Sequence, residues 1–464
     1  MKRIYYITIA LLALNLAACK KFLDVKPKTQ IESEVAFKDE AGYQNALTGI
    51  YVKLTSQNLY GKELTFGLVD VFGRQYSQIT GVYSQFDTYN YQLDSLKKRT
   101  TAVWKDMYNG IANANNLIEN LNRTDLPTFT GPNYNVIKGE ALGLRAFMHF
   151  DLLRLYAPAP ASSGGMDALA IPYIATFDTQ NTPRTSVRDI VGKVIADLNT
   201  AAALLKNSDP IVPGNTTTNN YLRNRNYKFN YYAVKALQAR VYLYAGDKTN
   251  ALICAEEVIN SAAFPFATST SITSGQDKVY NSELIFSLNI NNLHTYTALY
   301  FGTDANRLAK LASQYLSDFD GVSSDYRYLY LSDAPGNVYR YSTKYTPAAG
   351  TTANFLYKMP LIRVSEMYYI AAECLIATNK TRAVGYLNAV RRARNQNADI
   401  APTVTDSELQ NQIFREYRRE FIAEGQLFYY YKRLNASTID YSAVVGSNAI
   451  YVFPLPDDEL KYGN

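Results

Sequence analysis

The feature that most constrains this chain is a helical rhythm of apolar residues, interrupted again and again by tyrosine-rich loops. Residues 104–121 carry apolar or aromatic side chains at 104, 107, 108, 111, 114, 118 and 121, the spacing of one helix face. Residues 136–156 continue in kind, until Pro158 and Pro160 stop the helix. Ser186 stands where an N-cap belongs, ahead of a helix reaching about Leu205. Residues 231–244 and 251–259 read as a helical hairpin across Gly246-Asp247, with Ala233, Ala236, Ala239 and Ala245 permitting close approach. Residues 367–377 and 382–394 form a further pair, and 409–433 a long last helix. The expected fold is mostly α: tetratricopeptide-like helix pairs building an α-solenoid scaffold, with long irregular loops and a few short strands. No clean consensus of about 34 residues repeats, so helical packing without repeat ancestry is the alternative.

Between the helices, residues 57–95, 160–185, 208–228 and 264–355 are rich in Gly, Asn, Thr, Ser and Tyr, with a strand-like run at 284–290. Loops of this length in a compact domain are usually functional or poorly ordered. At 464 residues and 47% hydrophobic, the chain has ample material for a core and is not a disordered polymer. Three cysteines cannot staple a chain of this size, and Cys254 and Cys374 fall on apolar helix faces, as buried free thiols do. With His149 and His294 as its only histidines, it has little material for a multi-histidine metal site or a Ser-His-Asp relay. No cofactor and no metal-ligand motif is expected; calcium among the Asp/Asn-rich loops is left open, with no EF-hand pattern to hold it. The aromatics are lopsided, 40 Tyr and 20 Phe against a single Trp, which suits surfaces that meet something half-polar.

The first residues address the chain. Lys2 and Arg3 precede an apolar stretch at 4–16, too short to span a bilayer of about 30 Å. It fits a secretory leader over residues 1–18. Leu16-Ala17-Ala18-Cys19 resembles the bacterial lipobox, which makes Cys19 the expected site of lipid attachment; an ordinary signal peptide with an incidental cysteine is the alternative. The several acyl chains of a mature lipoprotein anchor it stably. The leader carries two cations and no acid, so its removal lowers the net charge from +6 to +4. That is too small and too dispersed to point to nucleic acid. Residues 19–464 then read as a single domain on a membrane surface.

Several motifs carry a family resemblance. Phe22-Leu23-Asp24-Val25-Lys26-Pro27 follows the lipobox. Residues 362–373, IRVSEMYYIAAE, are similar to an Arg-x-x-Glu-x-Tyr-x-x-x-Ala-Glu helix and precede Leu387-Asn388-Ala389-Val390-Arg391-Arg392-Ala393-Arg394. Residues 416–425, EYRREFIAEG, resemble a Glu-Arg-Arg-x-Glu segment ending in Glu-Gly, and Phe453-Pro454-Leu455-Pro456 a closing Pro-x-Pro turn. In this order they resemble the SusD/RagB family of Bacteroidetes outer-membrane lipoproteins. Leu427 and Tyr430 depart from the family's basic residue and Asp, and Lys20-Lys21 from the acidic residues common in surface-export signals. The resemblance implies a non-catalytic protein that captures oligo- or polysaccharide outside the cell and delivers it to a SusC-like TonB-dependent transporter. Peptide cargo, as in RagB-type members, is the alternative.

Sugar binding needs flat rings for C–H faces and amides, carboxylates or guanidiniums for hydroxyls, held on loops over a rigid scaffold. Within 57–95, residues 70–94 answer best: Asp70, Arg74, Tyr76, Tyr83, Phe86, Tyr89 and Tyr91 are the expected ligand contacts. Within 264–355, Asn292, His294 and Tyr296 are expected to complete the site, in a part of the chain where the resemblance places such contacts. Trp104, on an amphipathic helix, is expected in the core. Asp325 and Arg327 resemble a structural family pair. Glu366 and Glu373, seven apart on one helix face, need partners; Arg363, Arg391 and Arg419 are the obvious ones. Their spacing also permits the acid/base pair of a glycoside hydrolase, the third reading.

Overall fold

A computed structural model describes residues 36–123, 129–302, 305–348, 350–352 and 355–463. The leader, Cys19 and residues 22–27 lie outside the described residues. The chain is mostly helical: α1 (Glu40–Leu54), the short α2 (Leu68–Phe72), α3 (Asp94–Arg123), α4 (Asn133–Tyr156), α5 (Val187–Lys206), α6 (Tyr231–Tyr244), α7 (Lys248–Asn260), α8 (Val364–Leu375), α9 (Lys380–Ala393), α10 (Asp406–Glu420) and α11 (Leu427–Arg433). Local chemistry marks their ends. Ser186 caps α5 by accepting from the Asp189 N–H, with Asp189 in the first turn and Lys206 in the last, each opposing the end of the helix dipole it meets. Asn230 caps α6 through the Ala233 N–H, and Thr405 caps α10 through the Glu408 N–H.

Each long helix packs on the next along the chain: α1 on α3, then α3 on α4, α4 on α5, α5 on α6, α6 on α7, α7 on α8 and α8 on α9. That serial stacking is the expected scaffold of helix pairs. The centre is α4, buried along nearly its whole length. Its polar residues survive there because each has a partner. Arg145 holds Asp197 through two bonds of 2.7 Å, and Glu140 accepts from the Tyr51 hydroxyl at 2.5 Å and pairs with Arg225. His149 accepts the Ile174 N–H on Nε2 and donates from Nδ1 to the Arg145 carbonyl. Burial holds its pKa at about 3, so it is a neutral core residue. Trp104 is buried against Tyr108 and Tyr156, and Cys254 and Cys374 are buried free thiols, all as expected.

The last helix is two helices. A continuous α-helix over 409–433 is not formed: α10 ends at Glu420, the chain turns through Ala423 (φ +64°) and Gly425 (φ +74°), and α11 begins at Leu427. A Cβ on Gly425 would fall 2.4 Å from the Leu64 carbonyl oxygen, so this turn needs glycine for space as well as conformation.

The strands are few and short: β1 (Gln78–Ile79), β2 (Leu284–Asn289), β3 (Leu308–Leu311), β4 (Ser332–Asp333), β5 (Tyr339–Ser342) and β6 (Lys358–Arg363). One antiparallel sheet has the order β1-β3-β5-β4; β2 and β6 form a second pair.

Arg363, Arg327, Arg394 and Arg419 rank among the largest fully buried side chains. Arg394 pairs with Glu283 and Glu420, and Arg363 with Glu420 and Glu424. Arg327 spans Asp325, Glu416 and Glu420. The Asp325–Arg327 pair is therefore structural, as its resemblance implied. The partners expected for the α8 glutamates are not the observed ones. Glu366 is held by Arg240 at 2.7 and 2.6 Å, and Glu373 by Arg433 at 2.8 and 2.7 Å, while Arg391 and Arg419 serve Glu416. Burial pushes Glu416 up, but the guanidiniums of Arg327 and Arg419 outweigh it and hold the carboxyl at about 2. Such a lattice is costly to break, because removing one partner strands a buried charge.

Candidate functional site

The 70–94 segment is tied down at every turn. Asp70 on α2 is fully buried; its carboxylate accepts the Ala423 N–H at 2.6 Å, the Gly425 N–H at 3.0 Å and the Tyr76 hydroxyl at 3.3 Å. This clamps α2 to the α10–α11 turn. Burial outweighs those bonds and pushes the carboxyl up to about 8. Arg74, in the left-handed region at φ +55°, donates to the Tyr441 carbonyl at 3.0 and 2.5 Å and pairs with Asp87 at 3.2 Å. The Tyr83 hydroxyl donates to Glu63 at 2.8 Å, the Tyr89 hydroxyl to the Phe72 carbonyl at 2.9 Å, and the Tyr91 hydroxyl to the Ile450 carbonyl at 2.6 Å.

These bonds correct the expected ligand set. Tyr76, Tyr83 and Phe86 are at most 1% exposed, Tyr89 is 5% exposed, and Asp70 is wholly enclosed. Their faces are covered by protein: Tyr83 meets Phe86 edge-on at 5.7 Å, with the Arg99 guanidinium 5.0 Å over its ring, and Tyr89 lies 5.2 Å from Phe72. A ring whose hydroxyl finds a buried acceptor loses no hydrogen bond on entering the core, so it enters. These five residues pack the loop down and offer no stacking platform in this conformation. Arg74 and Tyr91 are half-buried and bonded to backbone carbonyls.

The second segment is more open. Asn292 and His294 are exposed and Tyr296 is half-buried, around a short helix at Leu293–Ala298. The His294 ring lies 5.9 Å from that of Tyr357. The fold brings the two segments together. β1 pairs with β3 (Gln78 opposite Ala309, Ile79 opposite Leu308), Tyr83 packs on Tyr300 at 5.8 Å and Tyr76 on Phe301 at 6.1 Å. Gly81 (φ +65°) seals the junction; a Cβ there would sit 2.2 Å from the Asn306 amide oxygen, which accepts the Val82 N–H. Val82 at 47% and Leu299 at 54% exposure stand out on the solvent side, with Ser84, Gln85 and Asn292 also exposed. The junction thus presents aliphatic and amide groups over a sealed aromatic floor.

Among the described residues no group of three or more His, Cys, Asp or Glu side chains is placed to hold a metal ion. Glu366 and Glu373 each give both oxygens to an arginine fork, so neither stands as a free acid or base. The sequence reading passed over a different surface, where α10 turns Gln410, Asn411 and Phe414 toward an open groove. The signal was present: amides and a ring at i, i+1 and i+4 on a helix whose charged residues at 416 and 418–420 face inward.

Comparison with known proteins places this architecture. Residues 21–243 match a SusD-like family model described as starch-binding and associating with the outer membrane, and residues 294–463 match the SusD family model, SusD_RagB. SusD-like protein P2 of Formosa agariphila is 25% identical, over 98% of this chain and 97% of its own; SusD-like protein P38 of the same organism is 23% identical, over 93% and 90%. Among solved structures, a SusD superfamily protein from Bacteroides thetaiotaomicron superposes with a TM-score of 0.73 at 21% identity, covering 92% of this chain and 98% of that one. A SusD-like carbohydrate binding protein from Bacteroides vulgatus gives 0.71 at 19% identity, with 91% and 96% covered. The two family models account for both halves of the chain, and the shared helical scaffold extends over its described length: the chain belongs to the SusD/RagB family.

Proposed function

We propose that this chain is a non-catalytic outer-membrane lipoprotein, anchored through Cys19 and facing the cell exterior, that captures oligo- or polysaccharide and passes it to a SusC-like TonB-dependent transporter. The observation that carries this reading is family membership over both halves of the chain, with an N-terminal match described as starch-binding. Two further facts support it. No helix among the described residues is long and apolar enough to cross a membrane, which suits a protein held by lipid. The carboxylates that could have formed a glycosidase pair are locked in ion pairs, which favours binding over hydrolysis.

The test joins three measurements on the full-length precursor and its mature form. Globomycin should make the precursor accumulate, and Cys19→Ser should abolish labelling by palmitate. Native gels cast with polysaccharides should retard the mature protein, and bound sugars should be recovered uncut after long incubation. Purification from the native membrane should bring a TonB-dependent transporter with it. Recovery of the mature chain wholly in periplasmic washings overturns the anchor, release of sugar products overturns the non-catalytic role, and retardation by no polysaccharide overturns capture.

A further inference from the structure

An open groove crosses the face made by α10 and the turn after α11. One arm, of about 370 Å³, is bounded by Gln410, Asn411, Phe414, Leu434, Thr438 and Asp440. The other, of about 300 Å³, is bounded by Asp318, Asp320, Phe414, Arg418, Asp440 and Tyr441. Phe414 and Asp440 line both arms, so the two form one groove with an aromatic ring at its middle. Volumes of this size fall in the range of small-molecule sites.

Its chemistry is specific. Phe414 is half-buried and braced by Tyr430 at 5.6 Å and Tyr431 at 5.2 Å, a ring held firmly at a surface. Asn411 is half-exposed beside it, and the Asp440 side chain is 48% exposed. At the floor, Arg418 is 3% exposed; its terminal nitrogens donate to the Arg74 carbonyl at 3.2 Å, the Tyr431 hydroxyl at 2.7 Å and Asp440 at 3.2 Å. Its Nε–H makes no hydrogen bond within the protein, and the Asp318 carboxylate lies 3.9 Å away from it. The buried guanidinium thus backs the groove as a fixed group beside the half-exposed Asp440.

The charges choose the ligand class. Every cation at the groove is already engaged: Arg415 and Arg419 with Asp320, Arg418 with Asp440, and Lys310 with Asp318 at 2.5 Å. Among the described residues no free cation borders the groove to receive a carboxylate or sulfate, whereas Asp318, Asp320 and Asp440 all border it. An anionic sugar would meet repulsion there in spite of the protein's positive net charge. The lining residues belong to helices and turns, so no strand edge is offered for peptide backbone pairing. A ring, amides, carboxylates and a guanidinium together suit the alternating C–H faces and hydroxyls of a neutral saccharide.

We propose that this groove binds a neutral saccharide, with a sugar ring against Phe414 and hydroxyls at Asn411, Asp440 and Arg418. The proposal deepens the capture reading above and rests on it. The test is affinity electrophoresis of the mature protein, Phe414→Ala and Asn411→Ala in gels cast with neutral polysaccharides (starch, mannan, xylan, galactan and levan) and anionic ones (polygalacturonate and alginate). Calorimetry against tryptic peptides of casein completes it. At least one neutral gel should retard the wild type, and both variants should bind that glycan about fivefold more weakly. Asn411→Ala, at a half-exposed position, keeps the test decisive should Phe414→Ala unfold. Neutral retardation that both variants retain overturns the groove while capture stands. Retardation by anionic gels alone overturns the neutral class. Binding of peptides alone, or retardation by no gel, overturns the capture reading itself.

Discussion

Two tyrosine-rich stretches of this protein, residues 70–94 and 414–441, have similar aromatic content and opposite fates. In the first, Tyr76, Tyr83 and Tyr89 point inward, and each hydroxyl finds a protein acceptor: Asp70, Glu63 and the Phe72 carbonyl. In the second, Tyr430 and Tyr431 are buried, yet they brace Phe414 at the surface, and Tyr441 stays half-buried with its hydroxyl on Asp318. In the first stretch the tyrosine hydroxyls end on protein acceptors, whereas in the second one ring, Phe414, is left half-buried at an open groove. Where α2 and the chain around Glu63 supply such acceptors, aromatics become scaffold. Around Phe414 the Asp320 and Asp440 carboxylates are half-exposed, and a ring and polar groups border an open groove.

The comparison is broken most forcefully at Tyr83. Its ring packs on Phe86 and Tyr300 under the Arg99 guanidinium, and its hydroxyl serves Glu63. Tyr83→Ala should destabilise the fold by about 4 kcal/mol, as other large aromatic truncations in cores do. Glycan affinity of the folded fraction should be unchanged. Denaturant titration and affinity gels measure the two separately; lost affinity with intact stability would return Tyr83 to the ligand.

The next largest effect belongs to Asp70, which joins the first stretch to the turn leading into the second. Asp70→Ala strips the acceptor from the Ala423 and Gly425 N–H groups and should cost about 3 kcal/mol in urea or thermal unfolding. A loss of less than about 1 kcal/mol would mean that water or another acceptor satisfies those donors equally well.

That clamp also explains what could be read in advance. The α6 boundaries, the Ser186 cap and the strand at β2 are local properties, written in helical spacing, cap residues and a short apolar run, and they are where the sequence puts them. The break after Glu420 was concealed because Phe421, Ile422 and Leu427 continue the apolar rhythm, although Gly425 signalled it. Partnerships across the fold had no local trace: Arg240 and Glu366 are 126 positions apart, and Tyr91 reaches a carbonyl 359 positions away. The burial of the loop rings depends on acceptors of that kind, so a tyrosine-rich loop read as a binding surface turned out to be a wall. The groove was overlooked because its residues come from α10, from the turn after α11 and from residues 317–321, which are adjacent only in three dimensions.

A separate effect follows from pH. Asp70's carboxyl stands at about 8 in the fold, against 3.8 without it, because burial opposes its charge. The folded chain therefore keeps a proton that the unfolded chain releases, and this site's contribution to stability falls as pH rises from about 4 to about 8. Asp70→Asn cannot ionise, so the stability of the wild type relative to the variant should fall steadily over that window and level off above it. Unfolding midpoints at intervals between pH 5 and pH 9 measure the gap. Below that window Glu416, held at about 2, adds the opposite trend, since its ion pairs are lost as pH falls from about 4.5 toward 2.

The smallest expected effect on stability is also the sharpest contrast with Tyr83. Asn411 is half-exposed on α10, and its neighbour Leu409, not the amide, supplies that turn's core contact. Alanine is the better helix former, so Asn411→Ala should shift unfolding free energy by no more than about 0.5 kcal/mol, of either sign. Tyr83→Ala should thus change stability without affinity, and Asn411→Ala affinity without stability. If both substitutions moved both quantities, the two tyrosine-rich stretches would be energetically coupled through the Asp70 clamp and the bond from Arg74 to the Tyr441 carbonyl, and a double-mutant cycle between positions 83 and 411 would show it as non-additivity. Additivity within about 0.5 kcal/mol would leave one stretch as wall and the other as binding face, each doing its work independently.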